Sequence, residues 1–202
     1  MGKFKVAVLI SGGGSNLQAI IDKFQSNETI ELSCVLSNKK DAYGLKRASK
    51  ANIDNFFVDH TNYPSREDFD RELIGTLENY KPDLVVLAGF MRILSPLFVN
   101  RYLGKLINIH PSLLPKYPGL DTHNSVIKNG DLKHGVTIHY VNEVLDGGEI
   151  IAQGEMPVNA NETYEEIKTR IHRIEHVMLP MVVSKFADGT INTEKIIYEK
   201  FN

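Results

Sequence analysis

The sequence predicts an α/β fold: an open, mostly parallel, twisted sheet with helices on both faces. Two observations carry that prediction. Apolar strand-like runs and helical stripes alternate as β-α-β-α-β from Lys5 to Val58, the order of a Rossmann-like, mononucleotide-binding half. Further on, Leu84-Val85-Val86-Leu87-Ala88 is apolar without alternation, as a central parallel strand covered on both faces should be. With 202 residues, 42% of them hydrophobic and 24% charged, the chain can bury a core unaided and is read as a single domain.

Lys5 to Ile10 reads as a buried strand, and Ser11-Gly12-Gly13-Gly14-Ser15-Asn16 leads into a helical stripe at Leu17, Ile20, Ile21 and Phe24. A strand, a glycine turn and a helix start present backbone N–H groups and a positive dipole end to any approaching anion. The loop lacks the third glycine of a dinucleotide fingerprint and the lysine of a P-loop, so a monophosphate is the expected ligand. A tight turn that binds nothing is the bland alternative. Glu31 to Ser37 is the second strand, Tyr43 to Ala51 a helix and Asn55 to Val58 the third strand. Ser65 and Asp68 have capping-box spacing for a helix through Leu73, Ile74 and Leu77, and Pro82 introduces the strand at Leu84. Gly89-Phe90-Met91-Arg92-Ile93-Leu94 follows at the carboxyl end of that strand, where open sheets bind ligands, and is expected to offer a flat apolar surface with a free backbone.

Leu106 to His110 is a short buried strand that stops where Pro111 withholds the next ladder donor. Alternation with period two aims Asn108 and His110 at one face. Pro111, Pro115, Pro118 and Gly119 then make an extended, directed loop, read as a wall or lid. Asn124 is placed as the cap of a short helix ending at Asn129 and Gly130, and Val136 to Val141 alternates as a strand. Asp146 stands before two glycines, ordinarily a plain turn position, and Ile150 to Val158 returns as another strand.

Thr163 and Glu166 make a second capping box, opening a long helix bent at Pro180 whose buried stripe is Ile167, Ile171, Ile174, Met178, Met181 and Val182. Glu175 interrupts that stripe, so its carboxylate is expected to meet a cation. Ile196-Ile197-Tyr198 is expected to form an edge strand.

Lys plus Arg number 23 and Asp plus Glu 25, a net charge of −2 without a basic run, which argues against nucleic acid as a partner. No apolar run approaches the roughly 18 residues of a membrane span. The lone Cys34 cannot form an internal disulfide, and no signal-peptide pattern opens the chain, so the cytoplasm is the expected compartment. The oligomeric state is not legible.

The glycine loop, Met91 to Leu94, Asn108, His110, Asp146 and Glu175 are expected to converge on one cleft. An amide and an imidazole together suit acyl transfer, with the amide stabilising an oxyanion and the imidazole moving a proton, while Asp146 orients and tunes that imidazole. No Ser, Cys or Thr stands in a nucleophile setting, so the substrate is expected to bring its own, an amine.

The set Ser11 to Asn16, Gly89 to Leu94, Asn108-Ile109-His110-Pro111-Ser112-Leu113-Leu114-Pro115 and Leu145-Asp146-Gly147-Gly148 resembles the glycinamide ribonucleotide formyltransferases, folate-dependent enzymes of purine biosynthesis, over nearly the whole chain. The resemblance implies a single formyltransferase domain, residues 1–100 forming its phosphate-binding half and 101–202 its catalytic and folate-binding half. It implies 10-formyltetrahydrofolate as co-substrate, glycinamide ribonucleotide as substrate, and no metal. It further implies Asn108, His110 and Asp146 as the catalytic trio, Gly14, Ser15 and Asn16 as phosphate ligands, and Glu175 as receiver of the substrate amine. Arg66, Met91, Arg92, Ile93 and Leu94, with Asn108 and the Asn142-Glu143-Val144-Leu145-Asp146 segment, are the implied folate contacts. His172 stands where relatives can carry Gln, and its role stays open.

Two other enzymes and a binding module compete. His172-Arg173-Ile174-Glu175-His176 matches an inverted zinc-protease motif, but only 26 residues follow it, little room for a further ligand. Methionyl-tRNA formyltransferase shares the central motif, yet needs an added RNA-binding domain. A non-catalytic nucleotide-binding module would leave Asn108, His110 and Asp146 idle.

Overall fold

The computed structural model describes residues 2–191 and 197–201. The chain forms two compact units, one ending at Asn108 and the other beginning at Ile109. In the first, β1 (Phe4–Ile10), α1 (Ser15–Phe24), β2 (Ile30–Ser37), α2 (Tyr43–Lys50) and β3 (Asn55–Phe57) follow the expected order, with a short 3-10 turn at His60–Asn62. Then come α3 (Arg66–Tyr80), β4 (Leu84–Leu87), α4 (Pro96–Arg101) and β5 (Leu106–His110), whose last two residues belong to the second unit. The strands run in the order β3-β2-β1-β4-β5, all parallel. Val6 to Ile10 and β4 through Val86 are wholly buried, which is why these runs show no alternation.

The order reverses between β1 and β4: the chain winds outward through β2 and β3 and then crosses back. Such a reversal opens a crevice beyond the carboxyl ends of the two inner strands, and the glycine loop leaves β1 there.

The second unit contains α5 (Thr122–Asn129), β6 (Lys133–Tyr140), β7 (Ile150–Pro157), α6 (Tyr164–Ala187) and β8 (Ile197–Lys200). β6 and β7 pair antiparallel, and β8 lies parallel to β7. Ile196, part of the expected edge strand, lies outside the described residues. Thr163 caps α6 with both bonds of a capping box. Ile167, Ile171, Ile174, Met178 and Val182 are buried as expected, joined by Leu179 and Val183, whereas Met181 is half-buried. The helix runs through Pro180 to Ala187. Among the described residues no helix is long and apolar enough to cross a membrane.

Two caps differ from expectation. Ser65 accepts the Asp68 N–H at 3.1 Å, but the Asp68 carboxylate takes the Ser65 hydroxyl at 2.6 Å and not its backbone N–H, because aspartate is one methylene shorter than the glutamate of a full box. Helix α5 starts after Asp121, held left-handed at φ 65, and Asn124 lies inside it, donating to the Asp121 carboxylate at 2.6 Å.

Candidate active site

The glycine loop after β1 is shaped by two carbonyls that are turned away from its open side. The Gly44 N–H donates to Gly12 O at 3.1 Å, and Arg47 Nε donates to Gly13 O at 2.8 Å, so both carbonyls face α2. In a trans peptide the N–H points opposite to the C=O, hence the N–H groups of Gly13 and Gly14 point away from α2. No acceptor among the described residues takes the N–H groups of Gly13, Gly14, Ser15 or Asn16. Gly12 and Gly13 are exposed, and a Cβ added at either would meet nothing within 4 Å, so the turn stands open to solvent. Four orphan donors at a helix start with no acidic residue in its first turn form a cradle for an anion.

Gly14 is glycine for a different reason. Its φ is +68, and a Cβ there would come within 2.7 Å of Gly44 Cα. The Gly14–Gly44 approach is what lets α2 dock against the loop, and neither Gly44 nor Arg47 was singled out by the sequence.

Ser11 fastens the loop to the neighbouring strand ends. Its N–H donates to Gly89 O at 3.0 Å, its hydroxyl donates to Asn38 Oδ1 at 2.6 Å, and that hydroxyl accepts the Met91 N–H at 2.7 Å. The backbone at Met91 is therefore engaged, not free as expected. Met91 and Ile93 expose large apolar side chains and Arg92 is exposed beside them, but Leu94 is turned into the core. Asp70 accepts the Ser95 N–H that opens α4. Burial raises its pKa, opposed by the Ser95 hydrogen bonds and then by Arg66 and Arg92, so the two expected folate arginines share the neighbourhood of one carboxylate.

In the second unit His110 lies at the end of β5, on the strand face that alternation also assigns to Asn108, which is half-buried. The His110 Nε2–H donates to the Tyr117 carbonyl at 2.8 Å, since a carbonyl can only accept. Its Nδ1 stands 3.5 Å from Asp146 Oδ2, both side chains being more than nine-tenths buried. Tyr117 and Asp146 both hold left-handed backbone, φ 56 and 50. Strain of this kind persists only where its surroundings enforce it, and here both strained residues touch one imidazole.

The same carboxylate meets a second imidazole that the sequence reading passed over. His139 on β6 points Nε2 at Asp146 Oδ1, 3.6 Å away, while its Nδ1–H donates to Tyr140 O at 2.8 Å. The Gly119 N–H donates to Asp146 Oδ2 at 2.7 Å. Gly148 completes the turn, because any Cβ there would collide with the Tyr140 carbonyl.

Burial raises the Asp146 carboxyl, but His139, the Gly119 N–H and His110 outweigh it and hold the pKa below the usual range. Burial lowers the His110 pKa despite the Tyr117 carbonyl and Asp146, which raise it, with His139 lowering it further. The resting state is thus a neutral imidazole beside an ionised carboxylate, with the lone pair on Nδ1. A proton taken up at Nδ1 lands next to a negative charge, as proton transfer at neutral pH requires.

The loop from Pro111 to Gly119 is held from beneath. The Thr137 hydroxyl donates to Ser112 O at 2.7 Å and accepts the Leu114 N–H at 3.0 Å, while Gln153 reaches Leu114 O at 2.9 Å. Within Asn142 to Asp146, the Asn142 side chain closes the turn on Val144 N and Gly147 O, leaving Val144 and Leu145 exposed. Glu175 is 5% exposed among Ile171, Ile174 and Met178. His172 and His176 stack face to face at 6.0 Å, and among the described residues no three His, Cys, Asp or Glu are grouped as metal ligands would be.

The pattern of the formyl transferase family matches residues 4–183. The chain belongs to that family. Similar proteins include the phosphoribosylglycinamide formyltransferase of Escherichia coli, 52% identical over 187 residues that cover 92% of this chain and 88% of the relative. The human trifunctional purine biosynthetic protein adenosine-3 is 42% identical over 190 residues, 94% of this chain and 19% of that longer protein. Among solved structures, phosphoribosylglycinamide formyltransferase from Coxiella burnetii superposes with a TM-score of 0.89 at 49% identity, covering 93% of this chain and 88% of that one.

Proposed function

We propose that this chain transfers the formyl group of 10-formyltetrahydrofolate to the amine of glycinamide ribonucleotide, a step in de novo synthesis of the purine nucleotide IMP. The observation that carries the reading is His110: buried, neutral, fixed at Nε2 by a carbonyl and backed at Nδ1 by ionised Asp146. The likeness, over more than nine-tenths of this chain, to proteins named for this reaction supports the choice of substrates.

The substrate amine attacks the formyl carbon, a C–N bond forms, and the carbonyl electron pair moves onto oxygen. The Asn108 amide stabilises that oxyanion. His110 Nδ1 takes the proton lost by the attacking nitrogen, Asp146 stabilises the resulting imidazolium, and the proton is returned to N10 of the folate as its bond to carbon breaks. Oxyanion donors are worth about 100- to 1,000-fold in rate and a placed acid-base group about 100- to 10,000-fold. Gly14, Ser15 and Asn16, together with Gly13, hold the substrate phosphate, and Glu175 receives the amine. Arg66, Met91, Arg92 and Ile93 offer side chains to the folate, Leu94 only backbone, and Asn142 to Asp146 contribute main-chain groups.

The test is turnover of purified protein with both substrates, following tetrahydrofolate and the formylated amine. Equal release of the two products is expected. Folate breakdown without formylated amine, or no turnover while both substrates bind, would overturn the proposal.

A further inference from the structure

We propose that Arg47 is the positioning residue of the phosphate cradle, locking the Gly13 peptide so that the Gly14 N–H faces the anion. The inference rests on reading this loop as the phosphate site. Arg47 Nε donates to Gly13 O at 2.8 Å and its Nη1 donates to Gln18 Oε1 at 2.9 Å, so one planar fork grips the loop and the first turns of α1 together. The guanidinium lies 4.9 Å from the centre of the Tyr43 ring, which fixes its plane.

A clamp is needed because, among the described residues, no other hydrogen bond holds that peptide. Gly13 has no side chain and no neighbour within 4 Å of where one would be, and glycine has the freest backbone of any residue. The preceding peptide is held separately, by the Gly44 N–H on Gly12 O. Were the Gly13–Gly14 peptide to flip, its carbonyl would face the anion and its N–H would face α2, turning an attraction into a repulsion. The flip also strips Arg47 Nε of its acceptor. Loss of a hydrogen bond to a charged donor costs enough for the unclamped loop to populate the wrong orientation.

The experiment compares glycinamide ribonucleotide with the same molecule lacking its 5′-phosphate, in wild type and in Arg47→Met, which keeps the aliphatic stem and removes the donors. The expected result is a roughly 10- to 100-fold fall in kcat/KM for the phosphorylated substrate, with less than about 2-fold change for the unphosphorylated one, and a matching rise in the inhibition constant of inorganic phosphate. An unchanged preference for the phosphorylated substrate would overturn the proposal. So would an equal fall for both substrates, which marks a residue that supports the fold and not the cradle. If Arg47→Met does not fold, Arg47→Lys is read by the same ratio, because one ammonium cannot serve Gly13 and Gln18 in a common plane. A loss of about 5-fold or more in the ratio then supports the clamp, and a wild-type ratio overturns it. A wild-type protein that shows no preference for the phosphate would instead refute the phosphate site itself.

Discussion

Acid should weaken this protein through one pair of histidines. His123 on α5 and His134 on β6 are 8% and 1% exposed and share a hydrogen bond of 2.9 Å between Nδ1 and Nε2. One ring must donate and the other accept, so the accepting nitrogen carries no proton. Burial pushes both down to about 4 from 6.5, helped by His172 and Lys168 beside His123 and by His123 beside His134. Both are depressed in the folded state, so the unfolded chain binds more protons as pH falls below 6.5. Stability is then full above that value and is lost progressively down to about 4. For a single ring the shift amounts to about 2 kcal/mol at pH ~5, and since each ring lowers the other, two such costs do not simply add. Replacing His134 by Gln keeps a polar group near the position of Nε2 and removes one titration. Urea unfolding at about pH 8 and about pH 5 should show wild type losing about 2 kcal/mol more than His134→Gln over that interval. Identical pH dependence in the two proteins would refute the role given to this pair.

The two kinds of glycine in the proposed phosphate loop should separate cleanly. Gly14→Val, strained at φ +68 and crowded against Gly44, should cost more than about 2 kcal/mol of stability, whereas Gly13→Val enters open space and should fold normally but raise KM for the phosphorylated substrate by about 10-fold or more. Thermal melting and steady-state kinetics check both. Thr137→Val removes the hydroxyl that serves Ser112 O and Leu114 N, and should cost about 1–3 kcal/mol in denaturant titrations while lowering kcat by loosening the loop that carries Tyr117. Glu175→Gln keeps the shape of a buried side chain and removes its charge. It should raise KM for the amine more than it changes the melting temperature, and a stabilised, fully active variant would count against the amine role.

What could be read from the sequence was local. β1 and β4 announce themselves as unbroken apolar runs, and Thr163 with Glu166 marks the start of α6, because each signal lies within a few residues of what it specifies. The end of β5 at His110 was legible because proline cannot donate to a ladder. Helix α4 was not, since six residues opened by Pro96 are too short to show a stripe. His139 reads as an ordinary strand residue until the turn carrying Asp146 folds back on it, and Arg47 as a polar helix residue until Gly13 meets it. Arg47 and Gly13 lie far apart in the chain, and His139 and Asp146 are brought together by an irregular turn, and in neither case does periodicity carry information. The Met91 backbone looked free for the same reason, its partner being the distant Ser11 hydroxyl.

The central claim is that His110 and Asp146 act together to move a formyl group between two nitrogens, and the most direct measurement follows the group itself. Wild type and Asp146→Asn are given 10-formyltetrahydrofolate labelled at the formyl carbon together with glycinamide ribonucleotide, and the label is traced. In wild type one label should reach the amine for each folate consumed. In Asp146→Asn transfer should slow by roughly 100- to 10,000-fold while both substrates still bind, because the carboxylate that stabilises protonated His110 is gone. Label recovered as free formate in wild type, or undiminished transfer by the variant, would contradict the account.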